Sequence, residues 1–116
     1  MDVFSNSFFV TLTLVGAVFS FAGWMLVKFP PRKINFWYGY RTKRSMKNKE
    51  SWDFAQKYSG DLSMRYGVTM VLIAFAGLYL PLSGLWAEFL ALPVMFLFII
   101  MMLVKVERAL EEEFGE

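Results

Sequence analysis

From Val3 to Val27 the chain carries no charged residue, and the run stops at Lys28 and the pair Pro30-Pro31. About 20 consecutive apolar residues, wound as a helix, cross the hydrocarbon layer of a bilayer. A soluble domain of 116 residues exposes much of its surface and has nowhere to hide such a segment. The composition agrees, at 57% hydrophobic and 19% aromatic with a mean hydropathy of +0.44. A signal peptide would need a basic n-region and a small-residue cleavage site. Here Asp2 precedes the run with no Lys or Arg, and Phe29-Pro30-Pro31-Arg32 follows it. The run is therefore expected to be a retained membrane helix, about residues 4–28.

A second uncharged run reaches from Tyr66 to Ala87 and contains Pro81, Ser83 and Gly84. It reads as a helix over about 63–80, a tight turn at Pro81-Leu82-Ser83-Gly84, and a third helix over about 85–104. Glu88 is the one charge in the third helix, in its first turn, where the helix dipole favours a carboxylate. Beyond Val104 the helix continues as a cytoplasmic tail, with Val106, Leu110 and Phe114 on one side. The expected fold class is all-α: one integral membrane domain over residues 1–116 with three transmembrane helices. Lys and Arg set its orientation. Lys28 to Arg65 holds ten of the twelve and the tail holds Lys105 and Arg108, while the N-terminal segment and the second turn hold none. The N-terminus is expected outside, and the long loop and C-terminus in the cytoplasm, across the plasma membrane.

In lipid, helices associate through close packing at small residues. Thr13, Gly16, Ser20 and Gly23 recur at helical spacing in the first helix, and Gly67, Ala74 and Gly77 in the second. These stripes predict a tight contact between helices one and two, and the same pattern suits a homo-oligomer. Pro93 removes one backbone hydrogen bond from helix three and predicts a bend. Met95, Met101 and Met102 read as gap fillers or lipid-facing residues rather than ligands of a soft metal. With no Cys and no His, the usual thiolate and imidazole ligands, nucleophiles and proton shuttles are missing. No catalytic, cofactor-binding or metal-binding residues are expected, and no enzyme activity. No Asp, Glu, Lys or Arg falls at mid-depth of a span, which disfavours an ion-coupled transporter.

The loop between helices one and two carries most of the functional information. Lys28 to Arg65 contains ten basic and three acidic residues, a net +7. Beside anionic headgroups each basic residue contributes on the order of 1 kcal/mol, and Phe36, Trp37, Tyr38 and Tyr40 suit the headgroup level. Membrane lipids, not nucleic acid, are the partner such a tethered loop implies. Gly39 between two tyrosines predicts a turn with positive φ or a close backbone approach. Ser45 and Asn48 are candidate helix caps. Trp52, Ala55, Tyr58 and Leu62 then form an apolar arc, with Asp53 and Lys57 paired at i,i+4 on another face. That arc predicts a short amphipathic helix lying on the cytoplasmic surface before Arg65 turns the chain into the membrane. Arg41 can grip a phosphate or carboxylate with both arms of its fork. The anions within reach are lipid headgroups or the acidic tail Glu111-Glu112-Glu113.

Taken together, Ile34-Asn35, Tyr38-Gly39-Tyr40-Arg41-Thr42, Ser45, Lys47-Asn48 and Trp52 resemble the signature of the SdpI family of membrane proteins. The motif is confined to Pro31 through about Gly60, and the three-helix layout is similar throughout. In two respects the chain departs from the family pattern. Lys43 follows the Arg-Thr pair where members often have Pro, and longer members carry an additional N-terminal membrane region. A short form with a single three-helix unit is thus expected. The resemblance implies a motif or partner-binding role for Asn35, Tyr38, Gly39, Tyr40, Arg41, Thr42, Ser45, Asn48 and Trp52. It implies immunity to a secreted peptide toxin, or signalling through the loop to a cytoplasmic regulator. The alternative is a small transporter or transporter subunit, with Glu88 as its candidate polar group.

Overall fold

The computed structural model describes residues 6–80 and 85–115. They form three α-helices, α1 (Ser7–Lys28), α2 (Lys49–Gly77) and α3 (Leu85–Phe114), with no strand among the described residues. The turn expected at Pro81 to Gly84 lies outside the described residues. The helix ends have local causes. Asn6 caps α1 by accepting from Phe9 N–H at 3.0 Å, supplying a partner to a donor the helix leaves unpaired. The helix stops at Lys28, just before Pro30-Pro31, which lack an N–H and push the preceding residue out of helical geometry. Asn48 caps α2 by accepting from Ser51 N–H at 2.8 Å. Helix α3 continues through Pro93 and ends at Gly115, whose φ of 77° lets its N–H close on Glu111 O at 2.8 Å.

Helices α1 and α3 both run antiparallel to α2, and all three pack on one another. Along α1, Gly16 sits against Gly67 and Val71, Gly23 against Gly60 and Met64, and Phe8 against Gly77. A Cβ on Gly67 would run into the Ser20 hydroxyl and the Gly16 carbonyl, so the two backbones meet with nothing between them. Ser63 adds an interhelical hydrogen bond, its hydroxyl donating to Phe19 O at 2.7 Å. Ala74 is fully buried, and the Thr13 hydroxyl is buried without a hydrogen-bond partner. On the other side, Tyr66 meets Phe98 edge to face at 5.2 Å, and Phe54 meets Phe114 at 5.6 Å. Helices α1 and α3 touch near their starts, where Ala87 and Ala91 pack with Phe8, Phe9 and Leu12, and the Thr11 hydroxyl donates to Glu88 at 2.6 Å.

The surface helix expected before Arg65 is not a separate element, because Lys49–Gly77 is one uninterrupted helix. The arc of Trp52, Ala55, Tyr58 and Leu62 faces protein and not a bilayer surface: Ala55, Leu62 and Tyr58 pack with Tyr40, Val106 and Leu110. The loop and α3 cover that arc, and α2 runs on from the loop without a break. The expected Asp53–Lys57 pair is replaced by Lys49–Asp53 at 2.7 Å, and Asp61 pairs with Arg65 at 3.1 Å. All four side chains are exposed, and such pairs contribute little.

Helices α1 and α3 are each long and apolar enough to cross a membrane, yet only 17% of the apolar window of either is buried. The core helix of a soluble protein would be mostly buried. Leu14, Val18 and Phe21 of α1, and Phe96, Leu97 and Ile100 of α3, point outward, as a lipid environment requires. The molecule measures 51 × 25 × 20 Å, longer than the roughly 30 Å hydrocarbon layer.

Candidate functional site

The end of α1, the start of α2 and the last turns of α3 meet at the basic end of the molecule, and residues 29–48 fold between them. Asn35 begins that fold. Its Oδ1 accepts from Trp37 N–H at 3.0 Å and Tyr38 N–H at 2.8 Å, while its amide donates to Lys33 O at 2.9 Å. This side-chain turn brings the Tyr38 hydroxyl to the end of α1, where it donates to Phe29 O at 2.7 Å with Met25 O at 3.0 Å. The last carbonyls of a helix have no partner of their own, so Tyr38 caps α1 from the loop. Burial holds its phenol above the ordinary pKa of 10.0.

Gly39 has φ 112°, and a Cβ there would lie 2.5 Å from Gln56 Oε1. The missing side chain lets the fully buried Gln56 take hold of the next residue. Its Oε1 accepts from Tyr40 N–H at 2.6 Å and its Nε2 donates to Tyr40 O at 2.9 Å. The Tyr40 ring enters the seam between α2 and α3, and its hydroxyl donates to Glu107 Oε2 at 2.7 Å. Thr42 donates its hydroxyl to the same oxygen at 2.8 Å, while Arg44 Nη1 lies 3.6 Å from Glu107 Oε1 and Nη2 3.9 Å from Glu111 Oε2. Burial first, then the bond to Glu107 and its negative charge, hold Tyr40 far above 10.0.

Ser45 closes the loop. Its Oγ accepts from Thr42 N–H at 2.8 Å and lies 3.1 Å from both Tyr40 O and Thr42 O, while its own N–H donates to Thr42 Oγ1 at 3.2 Å. Of the two candidate caps, Ser45 is therefore a loop clamp and Asn48 caps α2. Trp52 is fully buried, and its indole N–H donates to Pro31 O at 2.7 Å.

Arg41 stands apart from its neighbours. It is exposed, and it has no hydrogen bond or ion pair among the described residues. Of the acidic tail Glu111-Glu112-Glu113, one of its two expected anions, Glu111 is engaged by Arg44, as is Glu107 before it. The expected set of four headgroup aromatics also divides: Phe36 and Trp37 are 82% and 83% exposed, whereas Tyr38 and Tyr40 turn inward.

Gln56 and Glu107 join the site without having been singled out from the sequence. Gln56 had a usable signal, since it shares a helical face with Trp52, Ser59 and Ser63, and buried polar side chains demand partners. Glu107 had none, because Tyr40 and Thr42 lie 67 and 65 residues away. Among the described residues no group of three or more His, Cys, Asp or Glu could hold a metal ion.

Beside the loop lies an open groove of about 610 Å³ between α1 and α3. Val18, Phe21, Ala22, Met25 and Leu26 form its α1 wall, and Met102 and Leu103 its α3 wall. Ser59 and Ser63 contribute from α2, and residues 38–42 line its loop end.

Helices with apolar outer surfaces, joined by a hydrogen-bonded polar loop clasped between them, define a small helical membrane protein. The chain matches the SdpI/YfhL protein family over residues 32–105, and it belongs to that family. It is similar to the uncharacterized protein YfhL of Bacillus subtilis (strain 168), at 42% identity over 65 residues. That stretch covers 56% of this chain and 56% of the relative, so the chain spans little more than half the length of the curated relative it matches. No solved structure matches the chain. The family match takes in the motif loop from Arg32, all of α2 and two thirds of α3, stopping two residues before Glu107.

Proposed function

We propose that the chain crosses the plasma membrane three times, with its N-terminus outside and its C-terminus in the cytoplasm. Its loop is the surface through which it confers immunity to a secreted peptide toxin or signals to a cytoplasmic regulator, without catalysis. The third crossing is the stretch over about 63–80, the later part of α2 and the residues that follow it. From Tyr66 to Gly77 it is uncharged, and Val68, Leu72 and Phe75 leave an exposed apolar stripe at helical spacing. Because α2 is antiparallel to both neighbours, the loop, the start of α2 and the end of α3 gather at one end. That end carries eleven of the twelve Lys and Arg, and Arg65, midway along α2, pairs with Asp61 one turn toward it; the positive-inside bias assigns this end to the cytoplasm.

One observation carries the functional reading: the polar groups of the motif build a hydrogen-bonded platform, and Arg41 points outward from it. Asn35, Tyr38, Tyr40, Thr42, Ser45, Asn48 and Trp52 use their polar groups within the loop and on the helix ends it joins. Arg41, in the middle of the platform, is left unpaired. A loop that only joined two spans would need no such presentation.

The test is complementation of cells lacking this protein. Wild type and Arg41→Ala would be expressed at matched membrane levels and challenged with a panel of secreted peptide toxins. Protection by wild type and its loss in Arg41→Ala is the expected result. Equal protection by both would remove Arg41 from the mechanism, and no protection by wild type against any toxin would remove the immunity role.

A further inference from the structure

The groove between α1 and α3 changes character along its length. Its walls are aliphatic and aromatic, and from Val18 to Leu26 they run about 12 Å along α1. Val18 and Phe21 are 65% and 63% exposed, so the groove opens sideways to whatever surrounds the helices. Ser59 and Ser63 of α2 add hydroxyls to its floor, and the one charge among its lining residues is Arg41, at the end closed by residues 38–42 and unpaired among the described residues. Its volume falls within the roughly 300–1,000 Å³ of small-ligand sites.

We propose that this groove binds one anionic phospholipid of the cytoplasmic leaflet, with an acyl chain along the α1–α3 walls and the phosphate gripped by Arg41. The guanidinium fork matches two phosphate oxygens. The nearby carboxylate that would compete for it, Glu107, is occupied by Tyr40, Thr42 and Arg44. A free phosphate would leave the apolar walls unused, and an apolar helix from a second copy would leave Arg41 uncompensated. A phospholipid satisfies both ends at once. Phe36 and Trp37, exposed and only a few residues from Arg41, set the loop at headgroup depth, where aromatic rings concentrate. The site depends on the chain lying in a bilayer and stands whether or not the immunity reading does.

Native mass spectrometry of the full chain, delipidated in mild detergent and offered equal phosphatidylglycerol and phosphatidylcholine, tests it. Both lipids offer the same phosphate, but the choline cation of phosphatidylcholine would lie against the Arg41 guanidinium, so wild type is expected to retain one phosphatidylglycerol with a preference of about tenfold, the scale of one charge–charge contact. Arg41→Ala should bring that preference close to one while still retaining lipid. Ala22→Trp places a large ring on an exposed groove wall and should lower retention of both lipids. Arg41→Lys, which keeps charge but not the fork, should fall between. Equal retention of the two lipids by wild type, or a preference that survives Arg41→Ala, would overturn the site. Displacement of the lipid by inorganic phosphate would give Arg41 to a free anion instead, and a lipid-free dimer broken by Ala22→Trp would give the groove to a second copy. Should Ala22→Trp fail to fold, the Arg41→Ala comparison decides, since Arg41 makes no bond that the fold requires.

Discussion

At the scale of single residues, the motif loop is held by hydrogen bonds that admit few substitutes. Gly39→Ala forces a left-handed backbone on a residue with a side chain and drives that side chain into Gln56. A loss of at least about 2 kcal/mol is expected in chemical unfolding of the detergent-solubilised chain. Gln56→Leu keeps the volume but abandons both backbone groups of Tyr40, and should cost about 2–4 kcal/mol by the same measurement. Tyr40 makes a different prediction, about pH. Its folded pKa is raised above 10.0, so the unfolded chain gives up this proton first as pH rises. The Tyr40 contribution is therefore fully present below pH 10 and is lost above it. Unfolding midpoints measured from pH 8 to 11 should show an alkaline decline that Tyr40→Phe reduces; an identical decline in the variant would exclude Tyr40 as its source.

Among the helices, the α1–α2 contact sets the tolerance to substitution. Gly16 and Ala17 are neighbours in sequence, but Gly16 is buried against Gly67 and Val71 while Ala17 is exposed. Gly16→Leu should separate α1 from α2 and sharply lower the folded membrane fraction, whereas Ala17→Leu should leave it unchanged. Comparable expression and melting of both variants would mean that the two helices do not meet on this face. Helix α2 also shows how tertiary context recasts a local pattern. An apolar arc at 52, 55, 58 and 62 followed by a charge reads as a helix floating on a membrane. In the fold Tyr40, Val106 and Leu110 cover the arc, and the helix stands as the first half of a longer one.

For the molecule as a whole, Glu107 ties the loop to α3, and the charge distribution predicts an orientation. Glu107→Gln removes the charge that Tyr40, Thr42 and Arg44 share, and should loosen the loop from α3. Trypsin should then cut the basic loop several-fold faster than in wild type, with cleavage mapped by mass spectrometry; unchanged rates would show that Gln56 and Ser45 hold the loop unaided. Orientation is open to direct labelling because the chain has no cysteine. In intact cells an impermeant maleimide should modify Tyr79→Cys, whose native side chain is 91% exposed near the end of α2, and should spare Lys47→Cys until the cells are opened. The reverse pattern would invert the proposed topology and move the loop and Arg41 to the outer leaflet.

The sequence alone determined the all-helical class, the membrane setting and the family. Each rests on properties that a linear stretch carries with it: uncharged length, charge segregation and a motif of contiguous spacing. Tertiary structure decided which side of the motif is architecture and which is presented. In the chain Tyr38, Tyr40 and Arg41 are equal candidates for the headgroup layer, because amphipathic side chains side by side look alike until their partners are known. Their partners are the end of α1, Gln56 and Glu107, brought to the loop only when three helices pack. The outward guanidinium of Arg41 is legible only in that packing: Glu107 is engaged by Tyr40, Thr42 and Arg44, a fact written in distances across the fold and not in the order of residues.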